Sequence, residues 1–240
     1  MSRSLLLVVL LFAMSSAGRA QPAETVVLLH GLGLRGWAMW PLQRALAREG
    51  YRVVNLTYPS RRVPLEQLAG TWLPANLRAR GVSAAPRVNF VTHSMGGIVL
   101  RAWLRADGVP ANLGRVVMLA PPNAGSEVVD HLMDFPPFRW ITSVNGPRLG
   151  TGANSFPRTL GPWAGPAGSL GIIAGDRTFN PLFHAWLPGA NDGKVSVANA
   201  RLDGMGDFIV LHHSHTWLAW RGETLAQVKA FLRIGRFSRS

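Results

Sequence analysis

The 240-residue chain contains no cysteine, and acidic residues are few, twelve against 25 lysines and arginines. The lack of cysteine excludes disulfides, a thiol nucleophile, a cysteine-based metal site and lipid attachment through sulfur. The formal net charge of +13 favours a weak attraction to anionic membrane surfaces. Nearly all the basic residues are scattered arginines without a stripe of stacking aromatics, so we expect no nucleic-acid binding.

The composition is that of a folded chain with one sizeable core. Hydrophobic residues make up 48% of the sequence and charged residues only 15%, which is too apolar for disorder. We find no internal repeat, no low-complexity tract and no linker. The sequence therefore predicts a single domain over residues 21–240.

The first twenty residues have the layout of a secretory signal peptide. Arg3 precedes an apolar run, Leu5 to Met14, and small residues lead to a cleavage point between Ala20 and Gln21. The run is short for a membrane span, which needs about 20 apolar residues. We therefore expect residues 1–20 to be a signal peptide and the protein to be exported, either periplasmic or secreted.

Short apolar runs alternate with segments of helical periodicity along the rest of the chain. Strands are predicted at Thr25–His30, Tyr51–Leu56, Arg87–Thr92, Gly114–Ala120, Ser169–Gly175 and Asp207–His213. Helices are predicted at Met39–Gly50, Pro64–Gly81, Gly97–Gly108 and Glu223–Gly235. Such alternation predicts an α/β fold with a mostly parallel sheet that helices cover on both faces.

The stretch "NFVTHSMGGIVL" places Ser94 on the turn between a predicted strand and a predicted helix. This is the context of a nucleophile elbow, in which a tight turn exposes the serine and small neighbours let strand and helix pack closely. The usual G-x-S-x-G pattern begins with glycine, whereas this chain has Thr92 there, which requires the turn to open slightly. The alternative is that Ser94 only caps the helix.

A serine nucleophile needs a histidine base and an acid, which follow in the order Ser, Asp or Glu, His in elbow hydrolases. Two acids lie in loops beyond a predicted strand, Asp176 and Asp192. Three histidines follow them, His212, His213 and His215, and we place the first two inside the last strand. The cluster "HHSH" could alternatively bind zinc, although its spacing fits no common zinc site.

The elements "VVLLHGLG", "VTHSMGG", "NDGKVSV" and "HSHTWL" together resemble a small secreted bacterial serine esterase or lipase of the α/β-hydrolase superfamily. The resemblance runs in order from Thr25 to about Phe237. It implies an α/β-hydrolase fold in which Asp192 rather than Asp176 is the triad acid and the base lies on the loop after the last strand. That loop position selects His215.

Two backbone amides should stabilise the oxyanion. One belongs to Met95, the residue after the nucleophile. The other lies in the glycine-rich "HGLGLRG" loop, and the resemblance assigns it to Leu32. We also expect His30 and His93 to shape the loops beside the site by hydrogen bonding.

A long segment, about 121–168, separates two predicted strands and should form a short cap over the serine. It is rich in proline, glycine and aromatics, among them Phe135, Phe138, Trp140, Phe156 and Trp163. The alternative, which covers part of the segment, is an irregular surface with one helix, "GSEVVDHLM". An apolar cap predicts an acyl pocket.

The predicted function is hydrolysis of small-molecule or lipid carboxylic esters through an acyl-enzyme. The mechanism requires no metal and no organic cofactor. The same triad would serve a thioesterase, an amidase or a phospholipase, and the sequence does not separate these from an esterase. The alternative of a different class is an exported, hydrolase-like binding protein without catalysis.

Overall fold

The computed structural model describes residues 24–239, so the signal-peptide prediction for residues 1–20 lies outside the described residues. Within them, six parallel strands form one sheet in the order β2-β1-β3-β4-β5-β6. The strands are β1 Thr25–Leu29, β2 Arg52–Leu56, β3 Val88–His93, β4 Leu113–Leu119, β5 Leu170–Gly175 and β6 Asp207–Leu211. The predicted α/β fold with a parallel sheet is confirmed.

Helices cover both faces of this sheet. They are α1 Trp40–Arg48, α2 Leu65–Gln67, α3 Leu73–Ala79, α4 Met95–Asp107, α5 Glu127–Leu132, α6 Pro136–Thr142, α7 Phe156–Thr159, α8 Pro181–Trp186, α9 Val197–Ala200 and α10 Gly222–Ile234. Short 3₁₀ turns lie at Gly36–Met39, Gly146–Leu149 and Leu218–Trp220. No helix in the described part of the chain is long and apolar enough to span a membrane.

Alternating strand residues build two separate cores. On β1, Val27 and Leu29 pack with the helices α2 to α4. Val26 and Leu28 point the other way, into a core shared with α1 and α10. Because successive side chains leave opposite faces of a strand, a strand buried on both faces must be apolar throughout, and β1 is buried at every position.

The last strand ends earlier than predicted. The sequence places its end at His213, but β6 stops at Leu211, so the placement of His212 and His213 inside the strand is wrong. The reason lies in the neighbouring strand: β5 ends at Gly175, which pairs with Leu211, and no strand residue remains to continue the ladder. All three histidines therefore lie on the loop after β6.

The helix predicted for Pro64–Gly81 is interrupted. A π-helical turn at Leu68–Trp72 separates α2 from α3. Pro74 follows this turn and has no N–H to donate to the carbonyl of Gly70, where a regular helix would need that bond. The wider turn thus occurs where the α-helical hydrogen bond would be missing.

The segment between β4 and β5 carries α5, α6 and α7. A buried arginine on α4 connects this segment to the helix through hydrogen bonds. The guanidinium of Arg101 on α4 donates to the carbonyl oxygens of Asn123, Pro157 and Gly161 at 2.6–3.1 Å. These bonds give acceptors to both terminal nitrogens of a charged group that would otherwise be costly to bury. They also fix where the segment leaves and re-enters the sheet.

Candidate active site

Ser94 lies between β3 and α4 in a strained backbone conformation, with φ 53° and ψ −126°. Few non-glycine residues adopt positive φ, and such strain is typical of a nucleophile elbow. Ser94 is the N-cap residue of α4, but its side chain makes no capping hydrogen bond. The hydroxyl is therefore free for another partner, against the capping alternative.

Two glycines make room for this turn. A Cβ atom on Gly96 would lie 2.5 Å from the carbonyl oxygen of Leu29, so β1 could not approach the elbow if any side chain stood there. A Cβ atom on Gly97 would lie 3.3 Å from the hydroxyl oxygen of Thr92. The second glycine thus leaves space for the threonine that replaces the usual first glycine of the motif.

The structure brings together the three residues that the sequence singles out. His215 Nε2 lies 2.9 Å from Ser94 Oγ, and His215 Nδ1 lies 2.8 Å from Asp192 Oδ2. The side chains of His215 and Asp192 are only 5% and 1% exposed. This forms a continuous hydrogen-bonded chain from a buried carboxylate to the serine hydroxyl, the arrangement needed to move a proton off the serine.

Hydrogen bonds to both carboxylate oxygens and to the backbone carbonyl fix the position of Asp192. Its other oxygen, Oδ1, accepts hydrogen bonds from the amides of Lys194 and Val195, both at 2.9 Å, and its carbonyl accepts from the amide of His215. Donors that favour the charged form offset the cost of burying a carboxylate. The chain also passes close to β5, because a Cβ atom on Gly175 would lie 2.9 Å from the Cβ atom of Asp192.

His93, next to Ser94, contacts the backbone of His215. Its Nε2 donates to the carbonyl oxygen of His215 at 3.0 Å, and the two rings lie 5.0 Å apart. Burial lowers the pKa of His93 well below its ordinary value, and the nearby His215 acts in the same direction. His93 is therefore a neutral ring that links the elbow to the loop carrying His215.

His30 fixes the peptide that carries the predicted oxyanion donor. Its Nε2 accepts from the amide of Tyr58 at 3.2 Å, so in the neutral ring Nδ1 carries the hydrogen and donates to the carbonyl of Gly31 at 2.8 Å. Burial lowers the pKa of His30 to about 4, which keeps the ring neutral. The carbonyl of Gly31 and the N–H of Leu32 belong to one planar peptide and point in opposite directions.

Both predicted oxyanion donors, the amides of Leu32 and Met95, lie next to Ser94. A Cβ atom on Gly31 would lie 3.2 Å from that of Ser94, so the Gly31–Leu32 peptide lies against the serine. The Leu32 amide makes no hydrogen bond within the described part of the chain. Met95 is the first residue of α4, and the amide at this position has no acceptor inside the helix.

A cavity of about 320 Å³ opens over Ser94. Its walls are mostly apolar and come from the loop after β1, from α5, α6 and α8, and from the loops that carry Asp192 and His215. The apolar lining residues are Leu32, Leu34, Pro122, Val128, Val129, Leu132, Phe138, Ile141, Leu149, Phe183 and Val195. Such a pocket suits a hydrocarbon group attached to a reacting carbonyl.

The cap aromatics that the sequence singles out contribute less to this cavity than expected. Phe138 lines it, whereas Trp163 is buried in the core below and Trp140 is exposed on α6. Sequence reasoning missed Val128, Val129 and Leu132, although their spacing marks the apolar face of a helix. It also missed Phe183, which lies on a short helix outside the predicted cap.

The remaining candidates lie apart from the serine. Asp176 pairs with His212 at 2.9 Å, and His213 pairs with Glu223 at 3.1 Å. Each histidine of the "HHSH" cluster thus has a different carboxylate partner. Within residues 24–239, no group of three or more histidines and acids has a geometry that could hold a metal ion.

The fold of this chain resembles that of solved lipases and of an esterase. The structure superposes on the mature lipase BlEst2 of Bacillus licheniformis with a TM-score of 0.68 at 20% identity, covering 90% of this chain and 93% of that one. For lipase 1 of Pelosinus fermentans the TM-score is 0.62 at 11% identity, with coverage of 90% and 98%. For the Pyrococcus furiosus esterase Pf2001 it is 0.58 at 19% identity, with coverage of 88% and 82%.

Among curated protein sequences, none matches this chain. The profile of the alpha/beta hydrolase family matches residues 26–234. That match takes in Ser94, the loops that carry Asp192 and His215, and all six strands apart from Thr25 at the start of β1. The chain therefore belongs to the alpha/beta hydrolase family.

Proposed function

We propose that the protein is a serine hydrolase that cleaves carboxylic esters through an acyl-enzyme intermediate. One observation carries this proposal: a hydrogen-bonded chain runs from Asp192 through His215 to Ser94 at the floor of an apolar cavity. A binding protein would not need a strained serine aligned with a buried imidazole–carboxylate pair, since such strain costs about 1–3 kcal/mol.

The reaction proceeds in two halves. Ser94 Oγ attacks the ester carbonyl carbon while His215 Nε2 takes its proton, and the amides of Leu32 and Met95 stabilise the oxyanion. Collapse of the tetrahedral intermediate breaks the bond to the alcohol, which leaves with the proton from His215. Water then attacks the acyl-enzyme carbonyl and gives a proton to His215. Collapse of this second tetrahedral intermediate breaks the bond to Ser94 Oγ, which takes the proton back from His215 as the carboxylic acid leaves.

The cavity supports an apolar acyl group as the part of the substrate that is recognised. Its lining is mostly aliphatic and aromatic, and the polar residues beside the triad are His93, Ser126, Thr142, Lys194 and Thr216. The structural neighbours, which are named as lipases and an esterase, agree with a lipid-like or short-chain ester. On the sequence alone, we further propose that residues 1–20 direct the protein to export.

The test is turnover of p-nitrophenyl esters of graded acyl chain length by the chain without residues 1–20. We expect hydrolysis that Ser94→Ala abolishes, and labelling of the native chain by a fluorophosphonate at Ser94 alone. A thioester and an anilide of the preferred acyl group would separate esterase from thioesterase and amidase activity. Labelling at another residue would show that Ser94 is not the nucleophile. Binding of esters by the folded protein without turnover would favour the alternative of a binding protein.

A further inference from the structure

Four tryptophans are exposed on one side of the cavity. Trp37, Trp40, Trp217 and Trp220 are 59%, 55%, 49% and 40% exposed. The rings of Trp37 and Trp217 each lie 6.4 Å from that of Trp220. The three rings therefore form one contiguous surface, and Trp40, three residues after Trp37 in continuous helical structure, extends it. We call this surface the tryptophan patch.

The patch is held in place by the fold. Trp37 lies in the 3₁₀ turn that leads into α1, and Trp220 lies in the 3₁₀ turn before α10. The indole N–H of Trp220 donates to the carbonyl of Ala38 at 3.0 Å, which joins the two turns. Large apolar side chains that the fold presents to solvent in this way are typical of an interaction surface.

The patch also lies close along the chain to two residues of the cavity wall. Leu34 and Thr216 line the cavity, and Trp37 and Trp217 follow them by three residues and one residue. A partner seated on the patch would therefore face the opening above Ser94.

Three exposed arginines accompany the tryptophans: Arg35, Arg44 and Arg221. The guanidinium of Arg44 lies 5.7 Å from the centre of the Trp40 ring. Within the described residues, none of the three has a carboxylate oxygen within 4.0 Å. Their positive charge is therefore available to an anionic partner.

We propose that the tryptophan patch docks the protein on an anionic lipid surface and presents the cavity mouth to it. Tryptophan is favoured at the boundary between water and lipid, where its ring is buried and its N–H stays wet. Arginine adds attraction to anionic headgroups. A second copy of the chain is a poorer occupant, because it would bring the same positive charges together.

The experiment measures cosedimentation of the Ser94→Ala chain, without residues 1–20, with two kinds of vesicle. One is phosphatidylcholine alone, and the other is an equimolar mixture of phosphatidylcholine and phosphatidylglycerol. We expect binding to the anionic vesicles that weakens with added salt. The double variant Trp37→Ala and Trp217→Ala should reduce partitioning by about tenfold or more. The triple variant Arg35→Gln, Arg44→Gln and Arg221→Gln should weaken the preference for phosphatidylglycerol.

Ile234→Ala is the matched control. Ile234 is 49% exposed but lies at the end of α10, far from the patch. There Arg115, near the start of β4, donates to the carbonyl oxygen of Leu232, so this end of α10 lies at the amino ends of the strands, opposite the active site. Thermal unfolding checks that every variant folds. Binding that is absent, or that the tryptophan variant leaves unchanged, would overturn the proposal. So would a dimer in sedimentation equilibrium that only the tryptophan variant dissociates. Because Ser94→Ala is used throughout, the outcome does not depend on catalysis.

Discussion

Two imidazole–carboxylate pairs on neighbouring loops of this protein have nearly the same geometry but different surroundings. His215 and Asp192 are 2.8 Å apart with side chains that are 5% and 1% exposed, whereas His212 and Asp176 are 2.9 Å apart with side chains that are 72% and 33% exposed. Only the buried pair reaches a serine. The separation of ring and carboxylate therefore does not by itself identify a catalytic pair.

The difference lies in what surrounds each pair. In water, an ion pair gains little, because solvent competes for both partners. In the buried pair, backbone amides hold Asp192 and the ring of His93 supports the loop carrying His215, so the imidazole is oriented before substrate arrives. Orientation of this kind is what a general base needs.

The strongest contrast should come from removing each imidazole. We expect His215→Ala to lower kcat for a p-nitrophenyl ester by about 10⁶-fold, because the serine loses its base. His212→Ala should leave kcat within about twofold, since its ring contacts only an exposed carboxylate. Comparable losses from both variants would mean that the exposed pair takes part in the reaction.

Substitution of the two carboxylates should give the same contrast in kcat, but a smaller one. Asp192→Asn should lower kcat by about 10⁴-fold, since the amide favours the wrong imidazole tautomer and cannot offset its positive charge. Asp176→Asn is the matched substitution and should retain nearly full activity. If Asp176→Asn proves the more damaging change, the triad acid has been assigned to the wrong loop.

His30 shows the effect of burial alone on the pKa of an imidazole, because this buried ring has no carboxylate partner. Its pKa falls from 6.5 to about 4 in the folded protein, so below pH 6.5 the unfolded chain binds a proton that the folded chain does not. Its contribution to stability is complete above pH 6.5 and is lost as the pH falls toward 4, by about 3 kcal/mol.

Urea unfolding at a series of pH values tests this expectation. The free energy of unfolding should fall between pH 6.5 and 4, and the fall should be shallower in His30→Gln. The buried ring of His93 adds to the slope in both proteins, so the comparison isolates His30. Parallel curves for the two proteins would show that His30 already carries its proton in the fold.

The smallest effect should be the coupling energy of the exposed pair. A double-mutant cycle with Asp176→Asn and His212→Gln should give a coupling free energy below about 0.5 kcal/mol at pH 7. The readout is the urea midpoint of the four proteins. A coupling well above this value would show that the exposed pair stabilises the end of β6 more than its exposure indicates.

The sequence predicted five of the strands to within one residue at each end, because a strand buried on both faces must be apolar and its limits show as polar or glycine residues. It failed at the end of β6. The partner strand was predicted to end at Gly175, but the sequence did not show that Gly175 pairs with Leu211. Strand ends depend on this register as well as on the strand itself.

The elbow was determined largely by local chemistry. A serine on a strained turn needs small neighbours, and "SMGG" supplies them. Gly96 lies so close to the carbonyl oxygen of Leu29 that a side chain would not fit there. The order of serine, acid and histidine along the chain left a few candidates, and the family resemblance favoured Asp192 and His215 among them. Whether Asp176 or Asp192 lies beside His215 could not be read from their residue types, since both are aspartates in loops beyond the same strand.

Tertiary structure decided that choice, together with the cavity and the tryptophan patch. Asp192, His215 and Ser94 are separated by up to 121 residues and meet only because parallel strands bring their carboxyl ends to one edge of the sheet. In the same way, Trp37 and Trp220 are 183 residues apart and share a surface because α1 and α10 pack on the same face. Residue types and their order set which chemistry was available, and the packing of distant segments selected which side chains meet.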